Sequence, residues 1–243
     1  MTEPVFSIIT TTENNRTGLN LTGKSLLQQF DAPVFEWIII DGASHDKTSD
    51  LVRAWDRDMI RFVSKHVRNI SHANNIGIDM ATGRFIWFMP AGDCFSDMYV
   101  LRDIYREYRR NLQAELLYGD ARDNGIIHKA KNFDTLMRRP IIPFQAMLYR
   151  RNKIDTLRWD EALRESADYD FTLRFQDNTS HIHYMPRLLC DIDTSRRTIP
   201  ETARMLHEQR TIRAQAFNMP SWKNTVLYYW DKLRHKLHLK LRG

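Results

Sequence analysis

The sequence of 243 residues has few cysteines and no long apolar run. Its two cysteines, Cys94 and Cys190, are too few for a zinc cluster, and we expect both to be small buried hydrophobic side chains. No apolar stretch approaches the roughly 18 residues that a membrane span requires. The N-terminus, MTEPVFS, lacks the basic region of a signal peptide, so we expect the chain to stay in the cytosol unless something tethers it.

Glycine-rich phosphate-binding motifs are missing as well. Neither GxGxxG nor GxxxxGK[ST] occurs, which argues against an NAD-dependent oxidoreductase and a P-loop phosphotransferase. A diphosphate would therefore have to be bound by a metal ion and by basic side chains such as Arg16, Arg68, Arg196 or Arg197.

The positive charge is distributed unevenly. The net charge is +6, and residues 221–243 hold six Lys and Arg residues against one acid, so the first 220 residues are nearly neutral. A nearly neutral main part argues against a nucleic-acid-binding protein, in which basic residues would spread over a broad surface.

Apolar segments alternate with helical patterns in the first half of the chain. We predict strands at residues 5–12, 35–41, 59–63 and 85–89, with helices between them that begin near Thr17, Thr48 and Ser71. This alternation predicts a parallel sheet with crossover helices, and therefore an α/β fold.

The second half predicts further strands and helices. A helix is expected at residues 97–110, a strand at 114–120 with a hairpin turn at Asn124-Gly125, and a strand at 144–151. Ser166 is expected to cap the next helix, and residues 181–193 to form a short strand and an edge segment. Pro200 should open a long helix that ends at Pro220.

Several acids follow predicted strands. Asp93 comes directly after the most apolar segment, RFIWFMP, and Asp41 and Asp120 end two other strands. Because parallel strands end at one edge of a sheet, we expect the three carboxylates to converge there. Converging carboxylates need a cation, and oxygen ligands favour Mg²⁺ or Mn²⁺. The alternative is that these acids only cap turns and helices.

Four segments together resemble the inverting glycosyltransferases of family 2, which have the GT-A fold. The segments are FSIITTT, EWIIIDGASHDKT, NNIGIDMATGRFIWFMPAGD and SADYDFTLRF, in matching order between residues 5 and 193. The resemblance is strongest to the enzymes of bacterial exopolysaccharide, colanic acid and O-antigen assembly. It implies a mostly parallel central sheet and a nucleotide-sugar donor.

The resemblance also implies roles for particular positions. Thr11, Asp41 and Gly42 match the nucleotide-binding positions, Asp93 matches the aspartate that binds a divalent cation, and Asp168 matches the catalytic base. Arg68 is a further nucleotide-binding candidate, and Arg196 and Arg197 are candidates for diphosphate contacts. Acids that the family often has are replaced here by Gly42, Ala91 and Ala167.

The C-terminal segment has an amphipathic helical pattern. Apolar residues recur at steps of three and four, while lysine and arginine occupy the other faces. The apolar positions are Trp222, Val226, Trp230, Leu233, Leu237 and Leu241. Tryptophan on an apolar face beside basic residues is typical of a helix that lies in a membrane interface. A helix docked on its own domain is the alternative.

We therefore predict a GT-A domain at residues 1–200 and a helical extension at 201–243, with a membrane-associating helix at 221–243. The predicted enzyme uses Mn²⁺ or Mg²⁺ and transfers a sugar, expected to come from a UDP-linked donor, to an undecaprenyl-diphosphate-linked acceptor. We expect it at the inner face of the cell membrane, without nucleic acid as a partner. The alternative is a non-catalytic nucleotide- or nucleic-acid-binding module with a degenerate glycosyltransferase fold.

Overall fold

The structure is a computed structural model that describes residues 3–130, 143–192, 199–217 and 224–230. Its strands are β1 (Phe6–Thr12), β2 (Phe35–Asp41), β3 (Ile60–Ser64), β4 (Phe85–Phe88), β5 (Cys94–Phe95), β6 (Leu116–Asp123), β7 (Ile126–His128), β8 (Met147–Arg150) and β9 (Ile182–Ile192). Within the described residues these nine strands form one sheet, in the order β3-β2-β1-β4-β8-β6-β9-β5, with β7 paired to β6.

Helices connect the strands. They are α1 (Arg16–Leu27), α2 (Thr48–Trp55), α3 (Ile70–Met80), α4 (Val100–Arg110), α5 (Arg151–Ile154), α6 (Ala167–Gln176), α7 (Ile199–Phe217) and α8 (residues 224–230). A single 3₁₀ turn, Phe144–Ala146, precedes β8.

The first half of the sheet is parallel. Strands β3, β2, β1 and β4 run in the same direction and are connected by α1, α2 and α3. All four residues of β4 are fully buried, as expected for a central strand that is covered on both faces. The predicted α/β fold with a mostly parallel central sheet is confirmed.

The second half of the sheet is mixed. Strand β8 is antiparallel to both β4 and β6, while β9 runs parallel to β6 and antiparallel to β5. The predicted hairpin is present: Asn124 and Gly125 have φ values of 48° and 83° and join β6 to β7 through a two-residue turn.

The prediction of a short strand and an edge segment at residues 181–193 is wrong. The structure has one strand of 11 residues, β9, which lies inside the sheet between β6 and β5. The register shifts between the pair Tyr118–Tyr184 and the pair Asp120–Leu188. Pro186 therefore lies in a β-bulge. Its missing N–H does not interrupt the regular hydrogen bonding between the two strands there.

The C-terminal helices pack against the rest of the chain through α7. Its residues Met205, Leu206 and Ile212 are buried. The helix begins at Ile199, one residue before the predicted start at Pro200. The predicted end at Pro220 lies outside the described residues. None of the helices in the described part of the chain is long and apolar enough to cross a membrane.

Helix α8 has one face on α7 and one exposed face. Asn224 Nδ2 donates to the Arg210 carbonyl oxygen at 2.8 Å, and an Arg210 guanidinium nitrogen donates to Thr225 Oγ1 at 3.0 Å. Val226 and Trp230, four residues apart, are 49% and 56% exposed. The remaining apolar positions of the predicted C-terminal pattern lie outside the described residues.

Candidate active site

The carboxyl end of β1 joins the loops that follow β2 and β4. Gly42 N donates to the Thr12 carbonyl oxygen at 2.8 Å, and Ala91 N donates to the Thr11 carbonyl oxygen at 3.1 Å. The predicted nucleotide-binding positions Thr11, Asp41 and Gly42 therefore lie together, beside the segment that leads to Asp93. An edge of this kind is where open α/β sheets bind ligands.

The Asp41 carboxylate holds the loop that follows β2. It accepts hydrogen bonds from Ser44 N at 3.0 Å, Ser44 Oγ at 2.5 Å and Ser64 Oγ at 2.6 Å, and Asp41 is only 1% exposed. Asp41 thus ties β3 and its own loop to the site. Its Oδ1 atom accepts only the Ser44 hydroxyl among these bonds, so it has capacity for another donor.

Glu13 lies beside Gly42, a neighbour that the sequence does not indicate. A Cβ atom built on Gly42 would be 3.1 Å from both Cβ and Cγ of Glu13. The side chain of Glu13 therefore fills the space into which a side chain at position 42 would extend. Glu13, which follows β1, therefore lies next to position 42, where Gly42 replaces the acid that the family often has after β2.

The loop that carries Asp93 is held by α1. Thr22 Oγ1 donates to the Asp93 carbonyl oxygen at 2.7 Å, and Asn15 Nδ2 donates to the Ala91 carbonyl oxygen at 2.9 Å. Gly92 has φ of +113°, a conformation that side-chain-bearing residues rarely adopt. Helix α1 and its cap residue therefore hold the backbone on both sides of this glycine, which fixes the turn that carries Asp93.

The Asp93 carboxylate is buried and bound from the opposite half of the sheet. Asp93 is 7% exposed, and its Oδ2 atom accepts a hydrogen bond from Gln145 Nε2 at 2.8 Å. The Gln145 carbonyl oxygen in turn accepts from Trp87 Nε1 at 2.6 Å, so the turn at residues 144–146 is anchored on β4. Sequence reasoning missed Gln145, because no local pattern links it to Asp93.

Asp168 lies in the first turn of α6. The half-buried side chain accepts a hydrogen bond from Tyr169 N at 2.8 Å, and its carbonyl oxygen accepts from Thr172 Oγ1 at 2.8 Å. Thr172 also shares a hydrogen bond with the buried Tyr149 hydroxyl at 2.8 Å. Burial, and to a smaller extent the nearby Asp168 charge, raise the pKa of Tyr149 well above its ordinary value, so this hydroxyl stays protonated.

Aromatic packing links the Asp93 loop to the helix of Asp168. The 3₁₀ turn that contains Gln145 packs against α6. Phe144 of this turn lies 5.5 Å from Trp159 between ring centroids, and Trp159 stacks on Phe171 of α6 at 5.0 Å. Asp93 and α6 are therefore joined through the turn at residues 144–146 and an aromatic cluster.

The predicted cluster of three strand-end carboxylates is not formed. Asp120 lies within β6 and accepts hydrogen bonds from Tyr184 Oη at 2.9 Å and from Ala130 N at 2.8 Å. Its carboxylate fixes the chain that follows the β6–β7 hairpin. Across residues 3–130, 143–192, 199–217 and 224–230, no group of three or more His, Cys, Asp or Glu side chains could hold a metal ion.

Two further charged side chains of the predicted site region form ion pairs. Arg68 precedes α3 and forms an ion pair with Glu161 at 2.5 Å, with 69% of its side chain exposed. Asp170, two residues after Asp168 on α6, forms an ion pair with Arg174 at 2.5 Å. Arg196 and Arg197 lie outside the described residues.

Fold and site together define an α/β protein whose candidate binding residues gather at the carboxyl edge of parallel strands, where such sheets bind ligands. A family model described as glycosyl transferase family 2 matches residues 7–164, well over half of the chain. The chain therefore belongs to glycosyltransferase family 2. It is a glycosyltransferase, and the alternative of a non-catalytic binding module is not supported.

Curated relatives agree with this assignment. The chain is 28% identical over 190 residues to a PGL/p-HBAD biosynthesis glycosyltransferase of Mycobacterium bovis (strain BCG / Pasteur 1173P2). The same values hold for the protein of that name from Mycobacterium tuberculosis (strain ATCC 25177 / H37Ra). In both cases the match covers 73% of this chain and 72% of the relative.

Solved structures with low sequence identity share the fold. Staphylococcus aureus TarS 1–349 in complex with UDP-GlcNAc has a TM-score of 0.71 at 16% identity, over 90% of this chain and 69% of that chain. The mannosyltransferase PcManGT from Pyrobaculum calidifontis, in complex with GDP-Man and Mn²⁺, has a TM-score of 0.70 at 17% identity, over 90% and 66% of the two chains. The resemblance to GT-A glycosyltransferases is therefore confirmed.

Proposed function

We propose that this glycosyltransferase moves a sugar from a UDP-linked donor to a lipid-linked oligosaccharide in bacterial surface polysaccharide assembly, with inversion at the anomeric carbon. The observation that carries the proposal is the position of Asp93. This buried carboxylate follows the central strand β4, lies beside the ends of β1 and β2, and is joined through Gln145 to the turn that packs on the helix of Asp168.

The donor would occupy the edge formed by the ends of β1, β2 and β4. Thr11, Asp41 and Gly42 would contact the nucleotide, and the adjacent Glu13 would supply the acid that position 42 lacks. Arg68, Arg196 and Arg197 remain candidates for the diphosphate. The UDP-GlcNAc complex of TarS and the GDP-Man complex of PcManGT support a nucleotide sugar as donor.

A divalent cation fits the chemistry of Asp93. Its buried carboxylate offers hard oxygen atoms, which Mn²⁺ and Mg²⁺ prefer, and the oxygens of the donor diphosphate would complete the ligand set. The Mn²⁺ in the PcManGT complex supports a cation in this family fold. When bound, the cation neutralises the negative charge that develops on the leaving diphosphate.

Asp168 would act as the general base. Its carboxylate takes the proton of the acceptor hydroxyl while the acceptor oxygen forms a bond to the anomeric carbon. The bond from that carbon to the diphosphate oxygen breaks, and the electron pair leaves with the nucleoside diphosphate. Attack from the face opposite the leaving group inverts the anomeric centre.

The exposed face of α8 supports an acceptor at a membrane. Val226 and Trp230 are exposed, and basic residues are frequent in the same segment of the sequence. Such a helix would bind the inner face of the cell membrane through its apolar side chains and through attraction to anionic lipid. An undecaprenyl-diphosphate-linked acceptor would be presented at the same surface.

A thermal-shift experiment tests the donor. The full chain is heated with UDP-glucose, UDP-galactose, UDP-GlcNAc or GDP-mannose, each with MnCl₂ and with EDTA. We expect at least one UDP-sugar to raise the unfolding temperature with Mn²⁺ but not with EDTA, and Asp93→Asn to lose this increase. Asp58→Asn, which changes an exposed acid, is the control. An increase that is the same with EDTA, or for Asp93→Asn, would refute the role of Asp93.

A further inference from the structure

A carboxylate from the C-terminal helix α7 holds the segment that leads to Asp168. Glu208 Oε1 accepts a hydrogen bond from Arg164 N at 3.0 Å, and Glu208 Oε2 accepts from Glu165 N and Ser166 N at 2.9 Å each. Three successive backbone N–H groups therefore point at one side chain. Glu208 lies beyond residue 164, where the family match ends, and beyond the resemblance that the sequence shows.

A second contact fixes the same segment. Ser166, the residue before α6, is fully buried, and its hydroxyl donates to the Met205 carbonyl oxygen of α7 at 3.1 Å. Ser166 is the N-cap residue of α6, as predicted, but its side chain makes no capping hydrogen bond. Helix α7 binds the hydroxyl instead, so the start of α6 is oriented by α7 rather than by its own cap.

The position of this clamp matters for the reaction. Asp168 comes two residues after Ser166. The position of the backbone bound by Glu208 therefore determines the position of the first turn of α6, which carries the Asp168 carboxylate. A displacement of about 1 Å in a reacting group can cost about 10²-fold in rate. A general base must also be within hydrogen-bond reach of the proton that it removes.

We propose that Glu208 is a positioning residue for Asp168, acting through the backbone of residues 164–166. The inference rests on the proposed function, in which Asp168 is the base. It also assigns α7 a part in the activity of the enzyme: the helix supplies the contacts that hold the base in place.

The chemistry of the clamp requires a carboxylate. Both oxygens of an ionised Glu accept hydrogen bonds, and together they satisfy the three N–H groups. In Glu208→Gln one oxygen becomes an NH₂ donor that faces a backbone donor, so at least one hydrogen bond is lost. Glu208→Asp keeps the carboxylate on a shorter side chain and is expected to retain part of the contact.

Amide hydrogen exchange in the full chain tests the contact without reference to activity. The amides of residues 164–166 should be protected in the wild type and exchange about tenfold faster or more in Glu208→Gln, with Glu208→Asp between them. His207→Ala, an exposed neighbour on α7, should leave the exchange unchanged. Equal exchange in the wild type and Glu208→Gln would overturn the proposal.

Kinetics test the consequence for Asp168. The substrate is the nucleotide sugar that stabilises the chain most in the thermal-shift panel, and its hydrolysis with Mn²⁺ is followed by release of UDP or GDP. We expect Glu208→Gln to lower kcat about 10- to 100-fold with an unchanged KM for the donor. In the Asp168→Asn background the same substitution should lower the residual rate no further, because the residue that it positions is gone.

The outcomes separate the two proposals. If Asp168→Asn retains the wild-type rate, the base assignment of the proposed function fails, whatever Glu208 does. If Asp168→Asn loses the rate while Glu208→Gln stays within about twofold of the wild type, positioning by Glu208 fails and the base assignment stands. A rise in donor KM together with the fall in kcat would indicate a general structural role and would also overturn the inference.

Discussion

Gln145 Nε2 donates a hydrogen bond to Asp93 Oδ2 at 2.8 Å, across 52 positions of the sequence. This contact joins the loop after β4 to the turn before β8, and the turn packs on α6. Gln145 therefore connects Asp93, the proposed cation ligand at the leaving diphosphate, with the helix that carries Asp168, the proposed base for the acceptor proton.

The contact predicts a defect in donor binding for Gln145→Ala. The substitution removes a hydrogen bond that helps to orient the buried Asp93 carboxylate, at a cost of about 1.5 kcal/mol. We expect the Kd of UDP with Mn²⁺, measured by isothermal titration calorimetry, to rise about tenfold. Gln113→Ala, at an exposed position, should bind UDP as the wild type does. Affinity within about twofold of the wild type for Gln145→Ala would show that the contact does not matter for the donor.

The glycine before Asp93 predicts a combined loss of stability and binding. Gly92 has φ of +113°, and an alanine there would be strained by about 1–3 kcal/mol. We expect Gly92→Ala to lower the free energy of unfolding by this amount and to weaken UDP binding with Mn²⁺.

The hairpin glycine Gly125, with φ of +83°, offers a matched control. Gly125→Ala should reduce the stability through the same kind of backbone strain but leave UDP binding unchanged. Urea unfolding and calorimetric titration of both variants measure the two effects. Equal loss of UDP affinity in both variants would mean that the Asp93 loop has no special role.

Glu115 predicts a pH dependence of stability. Burial raises its pKa, but hydrogen bonds from Lys153, Thr179 and the backbone of residues 180 and 181 outweigh burial and lower the pKa from 4.5 to about 2. The charged groups that face it are Lys153 at 2.7 Å and, when protonated, His181 at 3.9 Å. Because the folded-state pKa is depressed, the stabilisation is fully present above pH 4.5 and is lost as the pH falls toward 2.

Glu115→Gln tests this pH dependence. The free energy of unfolding at pH 7 should fall by about 1–3 kcal/mol, and the difference from the wild type should shrink as the pH decreases from 4.5 toward 2. Urea unfolding at several pH values measures it. Asp58→Asn, at an exposed acid, should show little difference at any pH. A difference for Glu115→Gln that is constant with pH would contradict the prediction.

The exposed face of α8 predicts membrane binding through apolar side chains. Val226→Ser with Trp230→Ser should reduce flotation with vesicles that contain anionic lipid by about tenfold or more, and removal of residues 221–243 should abolish it. Ile126→Ser with Ile127→Ser removes a similar exposed apolar area from the β6–β7 hairpin and should have no effect. If the truncated protein still pellets with membranes as the full chain does, the C-terminal segment is not the anchor.

The sequence predicts the first half of the fold well, because there the signal is local. Strand β2 is found at residues 35–41 as predicted, since its apolar residues 37–40 suit a buried parallel strand. Strand β9 differs from the prediction for residues 181–193, because the bulge that contains Pro186 depends on pairing with β6. Helix α1 begins at Arg16, close to the predicted start near Thr17, and the Asn15 side chain caps it by accepting a hydrogen bond from Gly18 N.

The sequence predicted site residues only at positions that match motifs of the family or that follow predicted strands. The backbone contacts that bring Thr11, Gly42 and the Asp93 loop together follow from the parallel order of the strands. Gln145 and Glu208 were missed, because each acts on a partner more than 40 positions away. No local spacing marks such contacts, and only the packing of the turn before β8 and of α7 creates them.

The most direct test of the central claim is hydrolysis of a nucleotide sugar with Mn²⁺ by the full chain, compared with Asp93→Ala and Asp168→Asn. We predict that the wild type releases the nucleoside diphosphate, that Asp93→Ala loses both this release and Mn²⁺-dependent UDP binding, and that Asp168→Asn loses the release but still binds UDP. Release at the wild-type rate by Asp93→Ala, or no release by the wild type with any donor of the panel, would contradict the account.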